Sequence, residues 1–276
     1  MKLNFCLALI AASCICNNLS AQHKLTKLWE TDSVLKVPES VLYDAENKVL
    51  YESNIDGTDP WAMDGKGSIG KVGLDGKTIA VDWVSGLNSP KGIGIHKGKL
   101  YVADVTNIVV IDIKKGAIDK TIRIEGAEGL NDVSVGSDGI VWVSDSKNNK
   151  IYKVENDQSS VYLENLKGPN GVLMHGKDFY ILDAGAAYKV NNDKTLIKLA
   201  DGMEGGTDGI ENVSDNDFLV SCWQGAIWYI SNNNKQLLLD TKEQKKNTAD
   251  IGFDPKTKTV YVPTFWRNSI VAYKVE

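Results

Sequence analysis

Hydrophobic residues along this chain come in short alternating runs, and the runs fall into sets. From Gly168 to Asp183, Gly-Pro-Asn-Gly-Val-Leu-Met-His-Gly-Lys-Asp-Phe-Tyr-Ile-Leu-Asp reads as two strands joined by a Gly-containing turn, with Asn170 where the first strand begins. The same punctuation recurs at 89–104, 129–145, 206–222 and 248–263, and a degraded first copy runs from Pro38 to Ser53.

Aligned on the residue before the first strand, the six copies give Glu39, Lys91, Asn131, Asn170, Asp208 and Ala249, which are 52, 40, 39, 38 and 41 residues apart. A step of about forty residues carrying four strands is how a β-propeller is written in sequence. The pattern predicts an all-β fold, a six-bladed β-propeller. The last repeat supplies only three strands (249–254, 258–263 and 269–275), while the stretch 24–30 is a strand without an upstream repeat. That N-terminal strand is expected to complete the last blade, closing the ring and leaving no open sheet edge at the seam. The longer first step reflects an insertion from Asn54 to Ser68 after the second strand. It lies at the end of the ring where first strands begin, because successive strands of a blade alternate in direction.

With 276 residues, the chain is long enough to bury a sizeable core. Its net charge of −5, without long basic runs, argues against nucleic acid or an anionic membrane as partner. Small neutral or cation-bridged ligands remain open. A basic start, a short apolar core and Asn17-Asn-Leu-Ser-Ala21 read as a secretory signal (residues 1–21) with cleavage after Ala21, too short to span a membrane. A lipid anchor at Cys14 is the rival reading. Residues 22–276 are then one exported propeller domain, periplasmic or secreted, in which Cys222 is the sole cysteine and no internal disulfide forms.

The aligned positions should meet at the mouth of the central channel. Glu39, Asn131, Asn170 and Asp208 offer two carboxylates and two amides, a donor set that suits one hard divalent cation: calcium first, with magnesium, manganese or zinc as alternatives. The plainer explanation is that Asn, Asp and Gly make turns before strands, although turn chemistry does not ask for Glu39. Lys91 brings a positive charge to the same ring. Asp132 and Asp250 follow ring positions by one residue, and Trp61, Trp223, Trp266 and Arg267 sit in loops at that end; all are candidate substrate contacts beside Lys91, with inter-blade packing the alternative for each Trp. Gly65-Lys-Gly-Ser-Ile-Gly70 has no helix after it and is not expected to bind a dinucleotide. His96 and His175 fall at the far ends of first strands, and Cys222 has no His in register.

Glu39-Ser-Val-Leu-Tyr-Asp, Asn131-Asp132, Asn170-Gly171 and Asp208-Gly209, in this order and spacing, resemble the regucalcin–gluconolactonase family of six-bladed sugar-lactone lactonases. The resemblance implies that Glu39, Asn170 and Asp208 hold the cation, that Asn131 completes the site directly or through water, and that Asp208 stands at the proposed general acid/base. It implies hydrolysis of a lactone or related ester, a lactone or sugar derivative as substrate, and metal polarisation of the carbonyl. Where well-studied lactonases of the family place a substrate-contacting basic residue two before the Asn-Asp pair, this chain has Gly129. The alternative is a non-catalytic propeller whose ion ties blades together and whose top face binds a glycan, peptide or protein.

Overall fold

The computed structural model describes residues 22–204 and 206–276. The expected secretory signal and its lipid-anchor rival at Cys14 lie outside the described residues. Among those described, no helix is long and apolar enough to cross a membrane.

Six four-stranded antiparallel sheets form the molecule. Strand β1 (Leu25–Glu30) precedes blade one, which is β2 (Pro38–Asp44), β3 (Val49–Asn54), β4 (Gly67–Gly73) and β5 (Thr78–Leu87). Blade two is β6 (Pro90–His96), β7 (Lys99–Asp104), β8 (Asn107–Asp112) and β9 (Ala117–Arg123). Blade three is β10 (Leu130–Val135), β11 (Val141–Asp145), β12 (Lys150–Glu155) and β13 (Gln158–Leu163). Blade four is β14 (Pro169–His175), β15 (Asp178–Asp183), β16 (Ala186–Val190) and β17 (Leu196–Ala200). Blade five is β18 (Thr207–Ser214), β19 (Asp217–Cys222), β20 (Ala226–Ser231) and β21 (Asn234–Asp240). Blade six is β22 (Gly252–Asp254), β23 (Thr259–Pro263) and β24 (Ile270–Val275), with β1 as its outer strand. The ring is closed by the N-terminal strand, as its lack of a local partner predicts.

Each blade is apolar on both faces because it is covered on both sides. Every seam carries its own buried cluster: Ile69 and Val102 between blades one and two, Val110 and Val143 between two and three, Trp142 and Phe179 between three and four. Tyr180 and Phe218 fill the next seam, Leu219 and Val260 the fifth, and Leu50 and Tyr261 the seam that closes the circle.

The first strands line the axis, and in blades one to five each slips register against its neighbour at the ring position. The slip falls between Pro38 and Ser40, Pro90 and Ile93, Leu130 and Val133, Pro169 and Val172, and Thr207 and Ile210. A bulge of this kind leaves a residue unpaired and re-aims its side chain. Glu39, Lys91, Asn131, Asn170 and Asp208 are each the second residue of their strands, not the residue before, so each of these strands starts two residues earlier than the sequence pattern placed it while the alignment of the five positions stands. Gly171 follows Asn170 because a Cβ there would stand 2.5 Å from the Asp208 carbonyl oxygen. In blade six the inner strand starts at Gly252 rather than 249, since Asp250 pairs instead with blade one: its amide donates to the Glu39 carbonyl at 3.0 Å and its carbonyl accepts from Val41 at 3.3 Å.

A second repeated device fixes where the inner strands begin. Asp145, at the end of β11, accepts the backbone amides of Glu128 and Gly129, both at 3.0 Å. Asp104 does the same for Asn88 and Ser89, at 2.9 and 2.8 Å, and Asp183 for Lys167 and Gly168, at 2.8 and 2.7 Å. Blade one uses Asn54, whose amide oxygen accepts from Lys36 at 3.0 Å. These buried side chains satisfy donors that no ladder reaches.

Candidate functional site

The bulges bring five ring residues into one cavity of about 310 Å³ at the channel mouth: Glu39, Lys91, Asn131, Asn170 and Asp208 all line it. The insertion loop of blade one leans over it and contributes Pro60 and Trp61. Trp223 and Trp266 also line it, packed edge-on around Phe265 at 5.4 and 4.7 Å between ring centroids.

Asn170 Nδ2 donates to Asp208 Oδ1 at 2.8 Å, across the seam between blades four and five. Asn131 Nδ2 donates to Ser146 Oγ at 3.0 Å, and that hydroxyl donates to the Pro169 carbonyl at 2.6 Å. The remaining acceptors are the informative ones. Glu39 Oε2 and Asn170 Oδ1 are buried and have no hydrogen-bond partner among the described residues. An unsatisfied buried acceptor costs about 1–3 kcal/mol, so two of them lining one cavity fit oxygens held ready for a cation. No group of three His, Cys, Asp or Glu gathers for a metal among the described residues. The hub set is two carboxylates and two amides, which is hard-cation chemistry.

Burial raises the Glu39 carboxyl to about 7; Lys91 pulls it down and Asp132 pushes it up. Asp208 stands well above the usual carboxylate range, chiefly through burial and then through Glu39 and Asp132. Burial lowers Lys91, opposed by the charges of Glu39, Asp208 and Asp104. Its ammonium lies 4.4 Å from the Trp61 ring centroid. The hub thus carries two acids whose ionisation in a buried site calls for positive charge, only part of which Lys91 supplies.

Three expected substrate contacts lie elsewhere. Asp132 and Asp250 face the axial channel of about 250 Å³ below the mouth, together with Glu211. Asp132 accepts the amides of Val133 and Val172, both at 2.7 Å, and Asp250 accepts the Ser40 hydroxyl at 2.5 Å. They tie neighbouring inner strands together. Arg267 turns away, its guanidinium donating to the Gln244 carbonyl at 3.0 Å.

Lys147 was not among the sequence candidates. Its ammonium lies 4.6 Å from the same Trp61 ring, and its aliphatic stem covers Gly129, where a Cβ would come within 2.6 Å of it. The positive charge that Gly129 cannot supply thus arrives from the turn after β11. In sequence Lys147 is one more lysine in a polar turn, and no local pattern marks it.

Cys222 is fully buried, and burial first, then Asp208, pushes its thiol up to about 12, as befits a small core side chain. His175 lines a cavity with Tyr43 and Phe253 beyond the opposite end of the inner strands. Gly67 and Gly70 lie in β4, and no helix follows them.

The family model for the SMP-30/gluconolactonase/LRE-like region matches residues 37–264. No curated protein sequence matches the chain. Among solved structures, a structural-genomics target inferred to be a gluconolactonase superposes with a TM-score of 0.69 at 14% identity, covering 93% of each chain. A streptogramin B lyase gives 0.66 at 13% identity, covering 92% of this chain and 98% of the other. A protein of a nidogen/laminin complex gives 0.66 at 16% identity over 79% and 84%. At these identities the likeness is one of fold.

Proposed function

We propose, because the chain belongs to the SMP-30/gluconolactonase/LRE-like family, that it is an exported, metal-dependent hydrolase of lactones or related esters. The observation that carries this reading is the convergence of Glu39, Asn131, Asn170 and Asp208 on one cavity with the Glu39 and Asn170 oxygens buried and unpartnered.

Those four residues would hold the divalent cation, calcium for preference, which when bound supplies Lewis-acid polarisation of the substrate carbonyl. Asp208 is the group placed to move a proton: it lines the cavity and the Asn170 amide fixes its orientation. Trp61, Trp223 and Trp266 wall the cavity and limit water around the reacting ester. A second cavity of about 570 Å³ shares Asn131, Asn170 and Thr207 with the first and gives room for a substituent beyond the ring.

The test is a panel of aldonolactones and simple esters assayed with calcium, magnesium, manganese or zinc, beside a chelated control. Metal-stimulated turnover supports the reading, and the product should gain the mass of one water. Because one of the similar structures is a lyase, an unchanged product mass would assign elimination instead. Absence of turnover across the panel overturns the proposal.

The second reading is a non-catalytic module. It is favoured by Trp223 and Trp266, which are 37% and 44% exposed on the mouth face and offer stacking surface to a glycan or peptide. It is the reading left standing if no ester bond in the panel is cleaved.

A further inference from the structure

Lys91 and Lys147 come from different blades and end on the same ring. Lys91 is the second residue of β6 and Lys147 lies in the turn after β11, yet their ammonium groups stand 4.4 and 4.6 Å from the Trp61 centroid. Some lysines of this chain meet a carboxylate, as Lys99 meets Asp112 at 2.7 Å, Lys120 meets Asp157 at 2.6 Å and Lys36 meets Asp82 at 2.9 Å. Lys91 and Lys147 form no ion pair among the described residues.

Two like charges held near one another repel, and Lys147 is among the groups that lower Lys91. The Trp61 face offsets part of that repulsion through cation–π attraction. Lys91 is 2% exposed and has Glu39 and Asp208 as its strongest charged neighbours, whereas Lys147 is exposed and has no such compensation. Lys91 and Trp61 therefore line the mouth cavity, and Lys147 stands exposed beside the same indole. That arrangement matches an anionic group carried on an apolar or sugar skeleton.

We propose that Lys91 and Lys147 form an anion-recognising subsite around Trp61, so that the ligand of this cavity bears a carboxylate or a phosphate ester beside the bond to be cleaved. The bond to be cleaved rests on the hydrolase reading, whereas the charge of the ligand rests on the placement of Lys91 and Lys147 beside Trp61. Lys147 is the specificity-determining residue, because Lys91 also balances the buried acids of the hub.

The experiment compares matched ligands on the full mature protein. In turnover, D-glucaro-1,4-lactone (a carboxylate) is set against D-glucono-1,4-lactone, and 6-phosphoglucono-1,5-lactone (a phosphate ester) against glucono-1,5-lactone. In calorimetric binding, methyl glucuronide and glucose 6-phosphate are set against methyl glucoside. The wild type should favour the anionic member of at least one pair, which names the anion. Lys147→Met should shrink that preference roughly tenfold, as expected for loss of one charge-assisted hydrogen bond. Lys147→Glu should reverse it. If no lactone is cleaved, the hydrolase reading fails by itself, and the calorimetric preference and its loss in Lys147→Met still decide the subsite. A wild type without preference for either anion, or a preference that survives Lys147→Met, overturns the proposal.

Discussion

Asn170 and Asp208 meet across a blade boundary, the amide of one donating to Oδ1 of the other at 2.8 Å. The pairing uses the donor end of the amide and leaves its oxygen buried without a partner. One side chain thus steadies a carboxylate and presents an acceptor to the same cavity, as oriented ligand shells require. Asp208→Asn keeps the shape and removes the charge. Turnover of any lactone substrate should fall by roughly a hundredfold or more. Calorimetric cation affinity should drop with it, while the far-ultraviolet dichroism stays that of the folded ring. Unchanged turnover would remove Asp208 from the chemistry.

Asp145 is a structural counterpart to that pair. Its carboxylate also accepts the amides of Lys147 and Asn148, at 3.2 and 3.0 Å, besides those of Glu128 and Gly129. Asp145→Ala strands several buried donors at once and should lower the unfolding free energy by about 2 kcal/mol or more. Urea titration reads this directly, with Asn148→Ala, which removes only a partly exposed amide, as the milder comparison.

The sequence disclosed the six blades and the closure at the seam because both follow from periodicity: a fixed step counts the repeats, and an orphan first strand needs the three-stranded last repeat. It disclosed Glu39, Asn131, Asn170 and Asp208 because equal repeat positions become equal places in a ring. It did not disclose which way a side chain points once a bulge or turn intervenes. Asp132 and Asp250, one residue past the ring, face the channel, where Asp132 caps the Val172 amide and Asp250 accepts the Ser40 hydroxyl, and Arg267 turns to the Gln244 carbonyl. Lys147 escaped because its position depends on the space above Gly129 and the approach of the insertion loop, neither of which has a local signature. The Asp that ends the second strand recurs in the sequence at 104, 145 and 183, but its capping role was not read there, because its partners lie fifteen to seventeen residues upstream and meet it only on folding.

The channel acids set a pH dependence. Burial raises Glu211 to about 8, with Asp132 adding to it, and burial raises Glu52 in blade one well above the usual range. A carboxyl raised in the folded state contributes its full stability below the unfolded value and loses it as pH climbs toward the folded one. The window therefore runs from about 4.5 to about 8 for Glu211. Chelated protein should melt higher at about pH 5 than at about pH 9, and Glu211→Gln should flatten the difference. A melting temperature that rises with pH would contradict the assignment.

Closure of the ring concentrates on β1, which pairs antiparallel with β24 from Leu25 opposite Val275 to Glu30 opposite Val271. Trp29 extends the contact to blade one, its indole donating to the Leu74 carbonyl at 3.0 Å. Burial works to raise Glu30, but Lys246 at 2.7 Å, Lys27 and Ser269 outweigh it and hold the carboxyl at about 2. A depressed acid contributes its stability above the unfolded value and loses it as pH falls through the folded one, so this link weakens between about 4.5 and about 2. Removing residues 22–31 should do at any pH what acid does partially. The edge of β24 is then exposed over its length, and an exposed edge pairs with another copy. Sedimentation of the shortened protein should show concentration-dependent dimers and larger species, with a lowered melting temperature, while mouth residues such as Asn170 and Asp208 remain in sheets the deletion leaves whole. A shortened chain that stays monomeric and melts like the parent would show that the inter-blade clusters hold the circle without its closing strand.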